Sequence, residues 1–504
     1  MTDATWPSLR SLREKLEIAL LTPIRAFRFQ YLPLLMVYFA YGALGIIAIA
    51  ESFWIKSALT LTPSELAALS VWLTLPWTIK MVFGEFVDAV PILGSQRRAY
   101  VLIGGMLVAL GLLTLAGAAG GWLTFASPAD LYRFGSLLSV VGVVLQDVAA
   151  DAMSTEVVER ENPDGTPRDP KEINRDLGMV QVLGRISLSF GLMVVAGLGG
   201  WLASMFSYET VFLCGLVIPL ISISGALLVD IKRTETRPID WRILGGGLVF
   251  GAAVLAAAAA GVPHGQEIVF VVSMGVVSAM LWRVVGDLDR ATQQTILYAA
   301  IIIFAFRSTP LVGQGYTWFT IDVLGFDEAF QGTLNQIGAL LALVGTWLFS
   351  NAITGRPIPV VLFWLTLVAT VLSLPSLALT LSIHEWTEAT FGFGARTIAI
   401  IDTAASSPFL QLSMIPLLTL CAIYAPEQRR ATWFALMGSL MNLALVASSL
   451  QTKYLNQIFV VDRGAYENLP LLLGAVMAIG LCVPLAAIFL FGSKLSGAEV
   501  DGRR

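Results

Sequence analysis

Residues 99–121 read AYVLIGGMLVALGLLTLAGAAGG, 23 residues with no charge among them. Wound as an α-helix at about 1.5 Å per residue, the run spans the about 30 Å hydrocarbon core of a bilayer. Apolar runs of this kind recur from near residue 31 to near residue 492. The whole chain is 56% hydrophobic and 13% charged, with a mean hydropathy of +0.77. A soluble domain carries about 25% charged residues, so this composition belongs in lipid. A transmembrane β-barrel is excluded, because its strands would be about 10 residues of alternating polarity. The fold class is therefore all-α and integral to the membrane.

The runs predict spanning helices near 33–56, 63–88, 99–121, 128–159, 173–203 and 208–230, then 241–262 and 267–287. Six more are expected near 294–323, 328–352, 357–381, 394–424, 428–455 and 467–492. The pattern is six, two and six, about 14 in all. It suggests two six-helix bundles, 33–240 and 291–492, rocking about a central cavity as in major facilitator transporters. A connecting transmembrane hairpin at 241–290 joins them, with an N-terminal segment 1–32 and a tail 493–504. The hairpin is rich in Gly, Ala and Val. It reads as lipid-facing, with close packing of its first helix against a neighbour; a place in the substrate path is the other reading. Helix starts are capped: Thr62-Pro63-Ser64-Glu65 and Ser127-Pro128-Ala129-Asp130 each offer a hydroxyl N-cap, Pro at N1 and an acid at N3.

Basic residues orient the chain. With the N-terminus cytoplasmic, Arg97, Arg98, Arg160 to Arg175, Lys232 to Arg242, Arg283, Arg290, Arg356, Arg429, Arg430 and the tail from Lys494 share that side. The opposite loops hold few, Arg463 being the clearest, with Lys56, Arg133, Arg396 and Lys453 near helix ends. This is the positive-inside asymmetry. It predicts a multi-pass protein of the cell membrane with both termini cytoplasmic. Residues 9–29 carry Leu9, Leu12, Leu16 and Leu20 at helical spacing among Arg10, Arg13, Lys15, Arg25 and Arg28. They read as a basic amphipathic surface helix or equally as a polar tail, and not as a cleavable signal.

Charges inside spanning helices are costly, so each calls for a partner or a function. Lys80 lies in Leu75-Pro76-Trp77-Thr78-Ile79-Lys80. Asp147 and Asp151, four apart, share a helix face. Glu156 follows, Arg185 falls mid-way along 173–203, and Asp402 lies within 394–424. Asp147, Asp151 and Arg185 form a structural ion cluster or, on the sharper reading, an exchangeable proton site, with Asp147 the better carrier. Arg307 precedes Ser308-Thr309-Pro310, where Pro frees backbone groups toward a cavity. Its guanidinium suits a carboxylate-bearing substrate, or it pairs structurally, with Asp402 for example. Gly84-Glu85-Phe86-Val87-Asp88 with Arg97-Arg98 reads as a gating loop, the Gly allowing close approach and Asp88 capping a neighbouring helix or pairing with an Arg.

Gly84-x-x-x-Asp88 followed by Arg97-Arg98 resembles the motif between the second and third helices of the major facilitator superfamily, with a longer spacer. More specifically, the chain resembles the folate–biopterin transporter family. The stretches that carry the likeness are Leu75 to Lys80, Asp88-Ala89-Val90-Pro91-Ile92-Leu93-Gly94 with Arg97-Arg98, and Asp147-Val148-Ala149-Ala150-Asp151-Ala152 with Glu156 to Arg160. Phe306-Arg307-Ser308-Thr309-Pro310 follows, then Ala425-Pro426-Glu427-Gln428 through Ala431 to Leu436, ending at Asn442-Leu443. The chain departs from the pattern at Val87, Met81-Val82, Gln96 and Ile401, where the family shows Ser, Pro-Leu, a third Arg and Gly.

The resemblance implies uptake of folates or pterins by proton symport, without ATP. Proton coupling would fall to Asp147, Asp151 and Asp402. Substrate contacts would fall to Arg307, Arg185, Lys80, Tyr41, Trp77, Tyr316 and Asn442, with Tyr38 a further wall. Gating would fall to Gly84, Asp88, Arg97, Arg98, Glu156 and Arg160. The expected partners are a small-molecule substrate, protons and the lipid bilayer, with no nucleic acid and no cofactor. A carrier of another amphiphilic anion, such as a cell-wall fragment or a CoA ester, fits the same residues, and so does a receptor that has lost transport. An enzyme does not fit. The chain lacks HExxH, GxSxG and the Walker pattern. Cys214, Cys421 and Cys482 lie singly in apolar runs, and His264 and His384 fall in expected loops, so no metal site is indicated.

Overall fold

The structure, a computed structural model, describes residue 25 and residues 27–501, except 93, 96, 163, 229–240, 261, 287, 355–356 and 411–429. The described residues are almost wholly helical, with isolated β-bridges in three turns. The N-terminal amphipathic stretch falls largely outside them.

The expected spans are largely helical where they are described, but several are broken, and some of the breaks have identifiable causes. The first consists of α1 (Leu32–Ala43) and α2 (Ala48–Ala58) joined by a 3-10 turn, Leu44–Ile47. The second is α3 (Pro63–Thr78) and α4 (Lys80–Ala89), interrupted at Ile79. There the Thr78 hydroxyl donates to the Leu75 carbonyl at 2.7 Å, a back-bond of the kind that bends helices. Helices α5 (Arg98–Gly120), α6 (Pro128–Glu156) and α7 (Pro170–Met205) are continuous. The sixth span splits at Leu216 into α8 (Tyr208–Gly215) and α9 (Val217–Leu227). Pro219 has no N–H for the Gly215 carbonyl, which accounts for the split. The caps read from sequence are in place: Thr62 and Glu65 form a reciprocal capping box, and Ser127 accepts from the Asp130 N–H.

The hairpin is α10 (Trp241–Ala259) and α11 (Gly265–Val285). Its outer face leaves Trp241, Val249, Val271 and Trp282 exposed. It bears on the seam between the halves: Gln266 donates to the Ala68 carbonyl at 3.0 Å, and Glu267 pairs with Lys453 at 2.7 Å. The close approach on α10 is at Gly247, where a Cβ would lie 2.3 Å from Val82.

In the second half α12 (Arg290–Arg307) and α13 (Gln314–Asp322) replace the single span 294–323. Then come α14 (Glu328–Thr354), α15 (Ile358–Leu372), α16 (Leu374–Thr380), α17 (Ile383–Phe391), α18 (Ala395–Leu410), α19 (Arg430–Ile458) and α20 (Leu469–Asp501). Two features differ from expectation. His384 lies in the short helix α17 rather than in a loop, and α20 runs past 492 into the expected tail. The tail stretch Ser496 to Asp501 contains no Pro to stop a helix. Among the described residues nine helical segments are long and apolar enough to cross a membrane. The spans of 290–322, 328–354 and 430–458 are not among the nine; they carry the polar residues considered below.

Helices α5 and α6 pack most extensively, α1 lies along α7, and the halves meet where α3 packs on α19 and α7 on α14. Small residues set these distances. A Cβ on Gly142 would come within 2.5 Å of the Gly104 carbonyl, and one on Gly200 within 2.5 Å of the Glu328 carbonyl. Gly142→Leu should therefore push α5 from α6 and lower stability by about 1–3 kcal/mol. Gly275→Ala, where a Cβ meets nothing within 4 Å, should leave the melting temperature in detergent unchanged.

Candidate substrate site and gates

Three residues singled out in the sequence converge between α4 and α6. Lys80 stands at the first turn of α4, after the break at Ile79. Its Nζ lies 2.5 Å from Asp147 Oδ2 and 2.6 Å from Asp151 Oδ2. The phenol of Tyr38 on α1 donates to Asp151 Oδ1 at 2.8 Å. One ammonium is thus shared by two carboxyl groups. Asp147 is the more enclosed of the two, and Asp151 is half exposed.

Arg185, expected as the cation of this group, forms no ion pair among the described residues. Its side chain is exposed, on the turn of α7 where Gly184 meets the Tyr38 ring. The α4 lysine reaches the carboxylates instead. Tyr41 and Trp77 stack beside the cluster, with ring centroids 5.7 Å apart and planes inclined by 23°. The cluster, the stacked rings and Arg185 together offer a cation, a flat aromatic face and hydrogen-bonding groups. That set suits a planar heteroaromatic anion.

The C-terminal half contributes from the break between α12 and α13. The chain from Ser308 to Gly313 leaves the helix, and Gly313 adopts φ +82°, ψ −170°, which only glycine takes readily. The freed backbone is satisfied by one face of α19. Gln451 donates to the Ser308 carbonyl at 2.5 Å, Ser448 to Thr309 O at 2.7 Å, and Asn456 to Val312 O at 3.1 Å. Thr452 Oγ1 accepts from the Leu311 N–H at 2.9 Å. Asn442, one or more turns earlier on α19, donates to the Trp77 carbonyl of α3 at 3.0 Å. Its amide nitrogen is therefore used to hold the two halves together. Arg307 is half-buried at the end of α12, beside a small gap lined by Ile303, Phe304, Met437 and Met441. Asp402 accepts the Ser376 hydroxyl at 3.1 Å and does not pair with Arg307. Tyr316 stacks on Phe319 and lies near the same serine. Two lesser groups result, one around Arg307 and one around Asp402.

The loop signature assembles as expected, with one exception. Arg97 is 7% exposed. Its guanidinium bonds Glu156 Oε1 at 2.6 Å, Asp88 Oδ1 at 2.9 Å and the Val87 carbonyl at 2.7 Å. This ties the end of α4, the start of α5 and the end of α6 together. Arg98 and Arg160 are exposed. Gly84 is the exception: a Cβ there would meet nothing within 4 Å, so close approach is not its role in this conformation.

At the other end of the bundle, Arg463 in the turn before α20 performs a task that was not read from the sequence. Its Nε donates to Lys56 O at 2.8 Å and Nη1 to Leu61 O at 3.0 Å; Nη2 donates to Ile55 O at 3.1 Å and Leu59 O at 2.6 Å. The last carbonyls of a helix have no intrahelical partner; here the opposite half of the protein supplies one. The guanidinium also lies 4.1 Å over the buried ring of Trp318. Lys56 and Tyr466 both bond Asp322, Tyr208 donates to Glu328 at 2.8 Å, and Ser52 to Gln314 at 3.3 Å. The sequence signal was an isolated Arg on the side that is poor in basic residues.

The family model described as the BT1 family matches residues 42–499. The folate-biopterin transporter of Synechocystis sp. is 27% identical, over 92% of this chain and 81% of that protein. The probable folate-biopterin transporter 4 of Arabidopsis thaliana is 23% identical, over 92% and 96%. Folate transporter 1 of Plasmodium falciparum is 22% identical, over 83% and 71%. Among solved structures, a POT family transporter in complex with a thioalcohol conjugated peptide superposes with a TM-score of 0.64 at 13% identity, covering 92% of this chain and 96% of that one. A D-xylose–proton symporter gives 0.54 at 14% identity, with coverage of 92% and 96%. The fold is accordingly of the major facilitator type.

Two outcomes follow from the geometry. Lys80→Ala leaves two carboxylates without their cation and should destabilise by about 1–3 kcal/mol, below the cost for a fully buried pair because Lys80 and Asp151 are partly open to water. Lys80→Ala/Asp151→Asn should recover most of that loss in thermal melts. Arg463→Lys keeps the charge but cannot reach four carbonyls at once. With Cys214, Cys421 and Cys482 replaced, a cysteine substituted for Ser64 at this seam should be alkylated faster in the Arg463→Lys background.

Proposed function

Because the chain belongs to the BT1 family, we propose that it carries folate, biopterin or a related pterin across the membrane by alternating access, driven by proton symport. It is a transporter and not an enzyme. The observation that carries the reading is the exposed Arg185, with no ion pair among the described residues, near the Tyr41–Trp77 stack and the Lys80–Asp147–Asp151 cluster. A pterin ring has a flat face for the stack and an amide-like edge for the polar groups. The glutamate of a folate supplies carboxylates for a guanidinium. The names of the relatives support the same substrate class.

In this reading residues 33–240 and 291–492 are the two bundles that rock about the site, and the hairpin 241–290 rides on their seam. Arg185, Lys80, Tyr41 and Trp77 bind from the first bundle, and Arg307, Tyr316 and Asn442 from the second. Asp147, Asp151 and Asp402 carry protons. Asp147 is the principal carrier, since loss of its charge frees Lys80 to shift wholly to Asp151 and loosens α6 from α4. Asp88, Arg97 and Glu156, with Gly84, Arg98 and Arg160 around them, form the cytoplasmic gate, and Arg463 with Lys56 and Asp322 forms the outer one. The chain sits in the cell membrane with both termini in the cytoplasm.

The test is uptake of radiolabelled folate and of biopterin into liposomes holding the purified protein, with and without an inward proton gradient. Wild type should accumulate at least one of them only with the gradient. Asp147→Asn should lose gradient dependence, and Arg185→Ala should raise KM for folate more than for biopterin. Absence of uptake of both compounds by folded protein would reject the substrate class and direct the search to other amphiphilic anions.

A further inference from the structure

Glu51 lies in α2, and no role has been given to it above. It is half-buried, and its Oε1 accepts the phenol of Tyr132 on α6 at 3.0 Å. Tyr132 is 6% exposed and sits in an apolar cluster with Trp54, Leu131, Phe212 and Trp318. The Trp54 ring meets both Tyr132 and Phe212 edge to face. Among the described residues no Lys, Arg or His lies within ion-pair distance of Glu51. The titratable groups on the elements packed around α2 are engaged elsewhere. Tyr208 and Glu328 bond each other, Glu209 takes the Trp122 indole N–H, and Lys56 pairs with Asp322. Asp147, Asp151 and Glu267 all have a lysine; Glu51 has one neutral donor. An ionised carboxylate in apolar surroundings without a cation is costly, and taking up a proton removes that cost.

Its position makes this site consequential. The carbonyl of Ile55, one helical turn beyond Glu51, is one of the four that Arg463 holds from the opposite half. The neighbouring Ser52 hydroxyl reaches Gln314 of that half. Any movement of α2 that releases Arg463 also moves Glu51 relative to Tyr132.

We propose that Glu51 is a proton-binding site coupled to the outer gate, distinct from the Lys80 cluster; this rests on the reading of the protein as a proton symporter. With the outer end closed, Oε2 carries the proton and Oε1 accepts from Tyr132. When Arg463 leaves the end of α2, water enters between α2 and α6. The Oε2–H bond then breaks, its proton passes to that water, and the carboxylate is left solvated. Reprotonation from outside precedes closure. The outer gate thus closes on a neutral Glu51, which makes proton binding a condition for the inward step.

The test is infrared difference spectroscopy of the reconstituted protein during a pH titration, with gradient-driven uptake measured on the same preparations. In wild type, Glu51 should contribute its own component to the protonated-carboxyl carbonyl region, a band that disappears as pH rises and is separate from those of Asp147 and Asp402. Glu51→Gln should lack that band and accumulate substrate only to the level reached without a gradient, whereas Asp147→Asn should retain the band. Tyr132→Phe, which removes only the hydrogen-bond donor, should keep the band and shift its midpoint; this variant stands in if Glu51→Gln fails to fold. A band that persists in Glu51→Gln, an unmoved midpoint in Tyr132→Phe, or full gradient-driven accumulation by Glu51→Gln would overturn the assignment. If wild type shows no gradient-driven uptake but the band is lost in Glu51→Gln, the proton site stands and symport is the reading that fails.

Discussion

Away from water, every backbone N–H and C=O must find a partner inside the protein. That requirement makes the chain helical, and it also dictates what happens wherever a helix breaks. The interruption at Ser308 to Gly313 exposes three carbonyls and an N–H, and α19 meets them with Ser448, Gln451, Thr452 and Asn456. The end of α2 exposes further carbonyls, and Arg463 meets those. These partners are side chains from another helix or from the opposite half. The broken segments are therefore held by side chains from elsewhere in the fold, within the second half at Ser308 to Gly313 and across the two halves at the end of α2.

The polar side chains of α19 illustrate how residues that look like substrate ligands serve the backbone first. Asn442 is a natural candidate for reading a pterin edge, yet its amide holds the Trp77 carbonyl. That bond fixes the aromatic stack of Tyr41 and Trp77 in relation to the second bundle. In this way α19 acts on the site through the backbone of α3, with the Asn442 amide nitrogen already engaged.

Charge placement follows the same economy. The Lys80 ammonium is shared by Asp147 and Asp151, and Arg185 is left outside that cluster's ion pairs among the described residues. The Arg97 guanidinium gathers Asp88 and Glu156 at one end, and the Arg463 guanidinium gathers carbonyls at the other. Arginine serves both ends because its planar fork spreads several donors over one charge. A lysine suits the centre, where a compact ammonium can pass between two carboxylates.

The amino-acid sequence by itself determined the class of fold, the capped starts at Thr62 and Ser127, and the prominence of Asp88 with Arg97-Arg98. Length and apolar content decide spanning, and local spacing decides caps, so both are written along the chain. The sequence also marked Lys80, Asp147 and Asp151, since charges within apolar runs stand out. It did not show which cation those carboxylates would take. That depended on the bend at Ile79 and on α7 presenting Arg185 to open space, both outcomes of packing. The work of Arg463 and Glu51 was equally hidden. One binds carbonyls some four hundred residues away, and the other is defined by the absence of a nearby cation among the described residues. Both are properties of three-dimensional neighbourhood, and tertiary structure alone decided them.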